Sequence, residues 1–116
     1  MLEKIKLLLG ISDELQNELL ELLIEDSKDR LLATLNQFAS KNQTEEIKEI
    51  PLKFEYIQRD VTIKRFNKIN SEGASADSEE GRTYTWEKSY LDEYFTLFDE
   101  YTKPKKRSGR GIARWI

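Results

Sequence analysis

Ser12-Asp13-Glu14-Leu15-Gln16-Asn17-Glu18-Leu19-Leu20-Glu21-Leu22-Leu23-Ile24-Glu25-Asp26-Ser27-Lys28-Asp29-Arg30-Leu31-Leu32-Ala33-Thr34-Leu35-Asn36-Gln37-Phe38 is the stretch that decides the fold class. Ser12 is suited to an N-cap, and Asp13 and Glu14 place negative charge where a helix dipole favours it. Leu15, Leu19, Leu22 and Leu23 follow at helical spacing, and Leu31, Leu32, Leu35 and Phe38 continue the stripe. One long helix over residues 13–38 is the reading. The leucines fit core packing better than a coiled-coil seam.

Working outward, residues 2–9 form a short helical stretch that Gly10 stops. On the other side, residues 39–49 are polar and read as a loop, with a possible helical turn near Thr44. Pro51 marks the next helix start, since proline fits the first helical position. Phe54, Ile57 and Val61 share one face of that helix, with Ile69 close to it, and Tyr56, Ile63 and Phe66 share a second. A helix apolar on two sides packs against two neighbours, or against one neighbour and another subunit.

The character changes after Asn70. Residues 71–81 are small, acidic and rich in Ser and Gly, so they cannot bury apolar area. Residues 82–86 alternate, with Tyr84 and Trp86 on one side and Thr83 and Thr85 on the other, which reads as a short strand or extended arm. Ser89 and Asp92 are close to a capping box. Leu91, Tyr94, Phe95, Phe98 and Tyr101 then form an aromatic stripe on a last helix, which Pro104 ends. The expected fold is mainly α: a small helical bundle with an extended loop or short strand before the last helix, then a C-terminal arm. The division is a helical domain over 1–103 and a basic arm over 104–116.

The 116 residues suffice for one domain with one core. The charged fraction, 35%, exceeds the usual quarter, so the core is thin and the helix faces are heavily solvated. There is no Cys and no His. That removes most zinc, iron and copper chemistry, thiol nucleophiles and histidine acid–base work. No disulfide, metal or cofactor is expected. The longest apolar runs fall far short of the roughly 20 residues a membrane-spanning helix needs. Glu3, Lys4 and Lys6 interrupt any signal-like stretch, so no secretion and no membrane partner are expected.

Three constellations could suggest chemistry. Glu25, Asp26 and Asp29 could pair as acid and base, but on so charged a helix they read as a solvated face. The Ser/Gly stretch contains neither phosphate-loop pattern, and Glu72, Asp77, Glu79 and Glu80 would repel phosphate. Its spacing is not that of an EF-hand. The chain is read as a non-enzyme that works by binding other subunits.

Charge is unevenly placed. From Lys103 onward there are six basic residues and no acidic one, leaving 13 basic residues against 22 acidic ones, a net of −9, in the rest. Such a body repels duplex DNA, since phosphate binding needs clustered Lys and Arg. The arm also carries Ile112, Trp115 and Ile116. Burying a Trp removes about 150–250 Å² from water, worth roughly 4–6 kcal/mol before ordering costs. An arm that docks on a partner protein is the leading reading, ahead of folding back on its own domain and of nucleic-acid binding.

Met1-Leu2-Glu3-Lys4-Ile5-Lys6-Leu7-Leu8-Leu9-Gly10-Ile11, the acidic leucine-rich helix, and above all Ile63-Lys64-Arg65-Phe66-Asn67-Lys68-Ile69-Asn70-Ser71-Glu72-Gly73 resemble the small head–tail connector (adaptor) proteins of long-tailed bacteriophages and prophages. The Ser/Glu-rich residues 74–81 are similar to a loop of that family. The resemblance implies a helical virion protein that catalyses no reaction. It would form a ring, expected to be dodecameric, at the head–tail interface and be assembled in the bacterial host cytoplasm. That ring would sit beneath the portal, let DNA pass without specific binding, and offer a platform to the next neck protein, the stopper. It implies a portal-docking role for Lys105, Arg107, Arg110, Ile112, Arg114, Trp115 and Ile116. It also implies contacts to a subunit or the stopper through Ser71, Glu72, Gly73, Ser75, Asp77, Glu79 and Gly81. The rival readings are a small helical nucleic-acid-binding regulator, for which Lys64, Arg65 and Lys68 approximate a recognition helix, and another neck protein (stopper or tail completion).

Overall fold

The computed structural model describes residues 1–72 and 88–104. Among the described residues there are four α-helices: α1 (Leu2–Leu9), α2 (Asn17–Lys41), α3 (Glu55–Glu72) and α4 (Phe95–Thr102). Single-turn or short 3₁₀ segments lead into the last two, Leu52–Phe54 before α3 and Lys88–Tyr94 before α4. Among the described residues there is no strand. The extended segment expected over 82–86 lies outside them.

α1 ends as its sequence requires. Gly10 sits at φ 74°, ψ 27°, in the left-handed region. The Gly10 N–H donates to Leu7 O at 3.2 Å and the Ile11 N–H to Lys6 O at 2.9 Å, which satisfies two otherwise open carbonyls. Ile11 then packs, as Leu9 and Leu19 do, against the cluster of Ile5, Leu20, Leu23, Ile24 and Phe66.

α2 starts at Asn17, four residues later than expected, and Ser12 is not its N-cap. Asp13 Oδ1 accepts the Leu15 N–H at 3.1 Å, a local turn that competes with helix. The buried stripe differs too. Leu20, Leu23, Ile24, Ser27, Leu31, Leu35 and Ala39 face the core, whereas Leu15 is 88% and Leu22 is 52% exposed. Five of the six residues from Leu19 to Ile24 are apolar, so that stretch fits several helix phases. The i, i+3/i+4 steps through Ser27 to Leu31 and Leu35 select one. α2 also runs three residues past Phe38, to Lys41.

The loop after α2 is tied back by side chains. Asn36 spans it, its Nδ2 donating to Ile47 O at 2.9 Å and its Oδ1 accepting the Ile47 N–H at 2.7 Å. Pro51, at φ −59° and ψ 143°, precedes the turn into α3, and the Phe54 N–H donates to Pro51 O at 2.9 Å. α3 continues through Ser71 and Glu72, the first two residues of the expected loop, and residues 73–81 lie outside the described ones. α4 is capped by Tyr94 and not by Ser89, since residues 88–94 coil more tightly as a 3₁₀ segment. It ends at Thr102, and Lys103 is extended (ψ 148°), as the residue before a proline prefers.

α2 is the spine, with α3 along it and α1 and α4 packed at its two halves. The core is therefore double. One cluster holds Ile5, Leu20, Leu23, Ile24 and Phe66, closed by α1. The other gathers Leu31 and Leu35 with Phe54, Ile57 and Val61, closed by Tyr90, Leu91, Tyr94 and Phe98. Each fully buried Leu, Ile or Phe contributes about 1.5–3 kcal/mol. Between the clusters lies a buried polar belt of Ser27, Gln58, Thr62 and Arg65. Gln58 Nε2 donates to Ile24 O at 3.1 Å, and Arg65 Nη1 donates to Ser27 Oγ at 3.4 Å and meets Asp26 Oδ2 at 2.8 Å.

Candidate docking surfaces

The two faces of α3 are both used within the chain. Phe54, Ile57 and Val61 enter the larger cluster. On the second face, Phe66 is buried under α1 with Ile63 beside it, and Ile69 packs against the same cluster. Tyr56 stands edge-on to Tyr94, with ring centroids 6.2 Å apart. Burial raises the Tyr94 pKa to about 12, helped by the charges of Glu93 and Asp60. The stretch around Arg65-Phe66 is thus structural. Arg65 is 3% exposed and engaged with Asp26, a role that no spacing rule flagged. Lys64 is exposed and pairs with Glu93 at 3.3 Å, while Lys68 is exposed.

Among the described residues, most of the exposed large apolar side chains lie at the two ends of the spine. Around α1 these are Leu7 (81% exposed), Leu8, Leu15 and Leu22. At the other end they are Leu52 (82% exposed), Phe95, Leu97 and Tyr101. Leu7 and Leu8 belong to a helix apolar on more than one side, a pattern that ordinarily calls for a second neighbour.

The end of α4, just before Pro104, is well anchored. Asn42 Nδ2 donates to Thr102 Oγ1 at 2.8 Å and to Asp99 Oδ1 at 3.1 Å, and Thr44 Oγ1 donates to Thr102 O at 2.8 Å. The Asn42 bond, and then the charges of Lys41 and Lys103, hold the Asp99 carboxyl below its usual range. Glu100 and then Asp99 raise the Lys103 ammonium. Beside this anchor an open groove of about 1390 Å³ is lined by Thr44, Ile47, Lys53, Tyr101 and Pro104, among others. Lys53 Nζ lies 4.9 Å from the Tyr101 ring centroid.

Of the residues singled out from the sequence, Ser71 is described: it is exposed in the last turn of α3 and its Oγ donates to Lys68 O at 3.0 Å. Glu72 ends that helix. Gly73, Ser75, Asp77, Glu79 and Gly81 lie outside the described residues, as do Lys105, Arg107, Arg110, Ile112, Arg114, Trp115 and Ile116. Asn42, Thr44 and Thr102, which fasten the end of α4, were not legible in advance, because short polar side chains at helix ends are common. No helix among the described residues is long and apolar enough to cross a membrane.

No curated protein and no solved structure matches the chain. The family model for phage gp6-like head-tail connector proteins matches residues 1–102, ending where α4 ends and leaving the basic arm outside the match. A double-cored helical bundle with open apolar ends is a sensible body for a protein that links others, and by that match the chain belongs to the phage gp6-like head-tail connector family.

Proposed function

We propose that the chain works as a ring-forming adaptor beneath the portal vertex. It extends the DNA channel and presents a platform to the stopper. The observation that carries this reading is the placement of open apolar side chains at opposite ends of one spine, Leu7, Leu8 and Leu15 at one and Leu52, Leu97 and Tyr101 at the other. Two unlike patches on one subunit suit head-to-tail contacts, which generate rings when the rotation closes. Both faces of α3 are already occupied by the chain's own core, so the ends are what a neighbour has left to cover.

The acidic body, net −8 over residues 1–103, suits a lumen past which DNA slides. The arm is assigned to the portal through Lys105, Arg107, Arg110, Ile112, Arg114, Trp115 and Ile116. The segment from Ser71 to Gly81 is assigned to a neighbouring subunit or the stopper. No step of catalysis enters this role. The regulator reading loses support, because Arg65, the middle residue of its basic trio, is buried on Asp26.

The test is a pull-down of co-expressed portal with the full chain and with a chain ending at Lys103. The full chain should retain the portal and the shortened one should lose it while keeping its helical circular dichroism. Equal retention by a folded, shortened chain would remove the arm from the portal interface.

A further inference from the structure

α1 has two unlike faces. Leu2, Ile5 and Leu9 pack into the smaller cluster, and Ile5 is fully buried. Glu3, Lys4, Leu7 and Leu8 are exposed and, at about 3.6 residues per turn, share the face that points away from it. Leu7 is 81% and Leu8 61% exposed. Glu3 and Lys4 form no ion pair among the described residues. The outer face of α1 therefore offers two leucines, one acid and one base, all without partners.

The groove beside the end of α4 offers the counterpart of each. Ile47, Tyr101 and Pro104 give it apolar lining, and Glu45 and Lys53 give it charge. Glu45 is exposed and forms no ion pair among the described residues. Lys53 Nζ stands 4.9 Å from the Tyr101 ring centroid and 5.6 Å from that of Phe54, and it too has no carboxylate partner there. The other charges at this end are engaged with one another: Lys41 and Lys103 with Asp99, and Lys103 with Glu100. The sizes agree as well. An eight-residue helix is about 12 Å long and about 10–12 Å across, a cylinder of roughly 900–1,400 Å³. The open groove, about 1390 Å³, has room for such a helix part-sunk. The chain's own α1 is not the occupant, because it packs at the other end of α2, whose 25 residues span about 37 Å.

We infer that α1 of one copy lies in the groove at the α4 end of the next. Leu7 and Leu8 meet Ile47 and Tyr101, Lys4 faces Glu45, and Glu3 faces Lys53. This is a helix-in-groove contact, and it runs head to tail because helix and groove stand at opposite ends of one subunit. It rests on the ring reading above and deepens it by naming the two surfaces that join neighbouring copies.

The chain has no cysteine, so an introduced pair reports without background. The full chain carrying Leu7→Cys/Tyr101→Cys is co-expressed with the portal, the complex is oxidised, and its products are sized under denaturing, non-reducing conditions. A ladder of dimers, trimers and longer chains of this protein is expected. One chain cannot bridge its own two positions, since a disulfide needs Cα atoms within about 7 Å. Neither single variant should link to itself. The mass of the complex before oxidation counts the copies held on each portal. Several copies without a ladder overturn the inference and leave the ring reading standing, as they do if the arm or the portal fills the groove. A single copy per portal overturns both. Self-linked dimers of the Leu7→Cys variant place two α1 helices face to face and overturn the inference too. If circular dichroism shows the cysteine pair to be misfolded, charge reversal at exposed positions of the cysteine-free chain decides. Lys4→Glu should raise the chain concentration that half-fills the portal by about two- to fivefold, the worth of an exposed ion pair. Adding Glu45→Lys should restore it. No effect of Lys4→Glu, or a loss that Glu45→Lys does not repair, overturns the inference.

Discussion

The cluster under α1 and the cluster under α4 are built on the same two helices, yet they are closed in different ways. Under α1 the lid is one eight-residue helix that commits Ile5 fully and leaves Leu7 and Leu8 to solvent. Under α4 the lid is a set of interlocked rings. Phe38 meets Phe95 at 5.3 Å, Phe54 meets Phe98 at 5.6 Å and Tyr101 at 5.2 Å, all edge-on. Such pairs add about 0.5–1.5 kcal/mol each beyond area burial. Asn42 and Thr44 then fasten the end of α4 to the spine. The difference teaches where stability and adaptability reside. The α4 half is the cross-braced body, and the α1 half is held mainly by shape and aliphatic contact.

The sharpest way to break that comparison is to truncate one residue in each lid. Phe98→Ala should cost about 3–5 kcal/mol and lower the denaturation midpoint of the whole chain. Ile5→Ala should cost less, about 2–3 kcal/mol, and show in hydrogen exchange as opening confined to α1. Equal costs with a single cooperative transition would mean that the halves are one unit.

Next comes the belt between them. Arg65→Ala leaves Asp26 without its closest cation and Ser27 without a partner. Since Asp26 is about a third exposed, the loss should lie near 2–3 kcal/mol, below the full penalty for a buried pair. Urea denaturation measures it, and a loss under about 0.5 kcal/mol would make the pair a surface ornament.

A smaller effect concerns the brace on α4. The Asp99 carboxyl is held below its usual range chiefly by Asn42, so its contribution is present above the ordinary carboxylate pKa and is lost as pH falls through the depressed value. Asn42→Ala should lower the melting temperature at neutral pH and flatten its fall on the acid side. An unchanged acid limb would mean that Lys41 and Lys103 suffice.

The smallest expected effect is a gain. Gln43 sits at φ 59° after α2, and the Gln43 and Thr44 N–H groups bond back to Ser40 O and Ala39 O in the pattern that Gly10 and Ile11 show after α1. A left-handed non-glycine residue costs about 1–2 kcal/mol, part of which glycine's looser unfolded state returns. Gln43→Gly should therefore raise stability by about 0.5–1 kcal/mol in a thermal melt.

Much of the fold could be read from the residues. Gly10 stops α1, Pro51 leads into α3, and Phe54, Ile57 and Val61 face the core as their spacing says. Leu91, Tyr94 and Phe98 are buried from the aromatic stripe, while Phe95 and Tyr101 are each 39% exposed at its edges. The phase of α2 was harder. With Leu19, Leu20, Leu22, Leu23 and Ile24 so close together, hydrophobicity points in nearly every direction, and only packing against α1 and α3 separates Leu20 from Leu22. The burial of Arg65 was out of reach for a related reason, since a charged residue looks solvated until a carboxylate such as Asp26 is brought beside it from another helix. The residues proposed for docking are marked in the sequence only by composition, because basic and aromatic side chains state their needs without stating their partner.

The belt across the middle of the bundle has a mechanical corollary. Greasy helix interfaces tolerate sliding, since one aliphatic contact substitutes for another. A guanidinium seated on Asp26 and an amide seated on the Ile24 carbonyl do not. Shifting α3 by one turn, about 5.4 Å, would strand both groups without partners. α2 and α3 are thus keyed in axial register like a splined shaft, and neither can slide along the other without first giving up those two bonds.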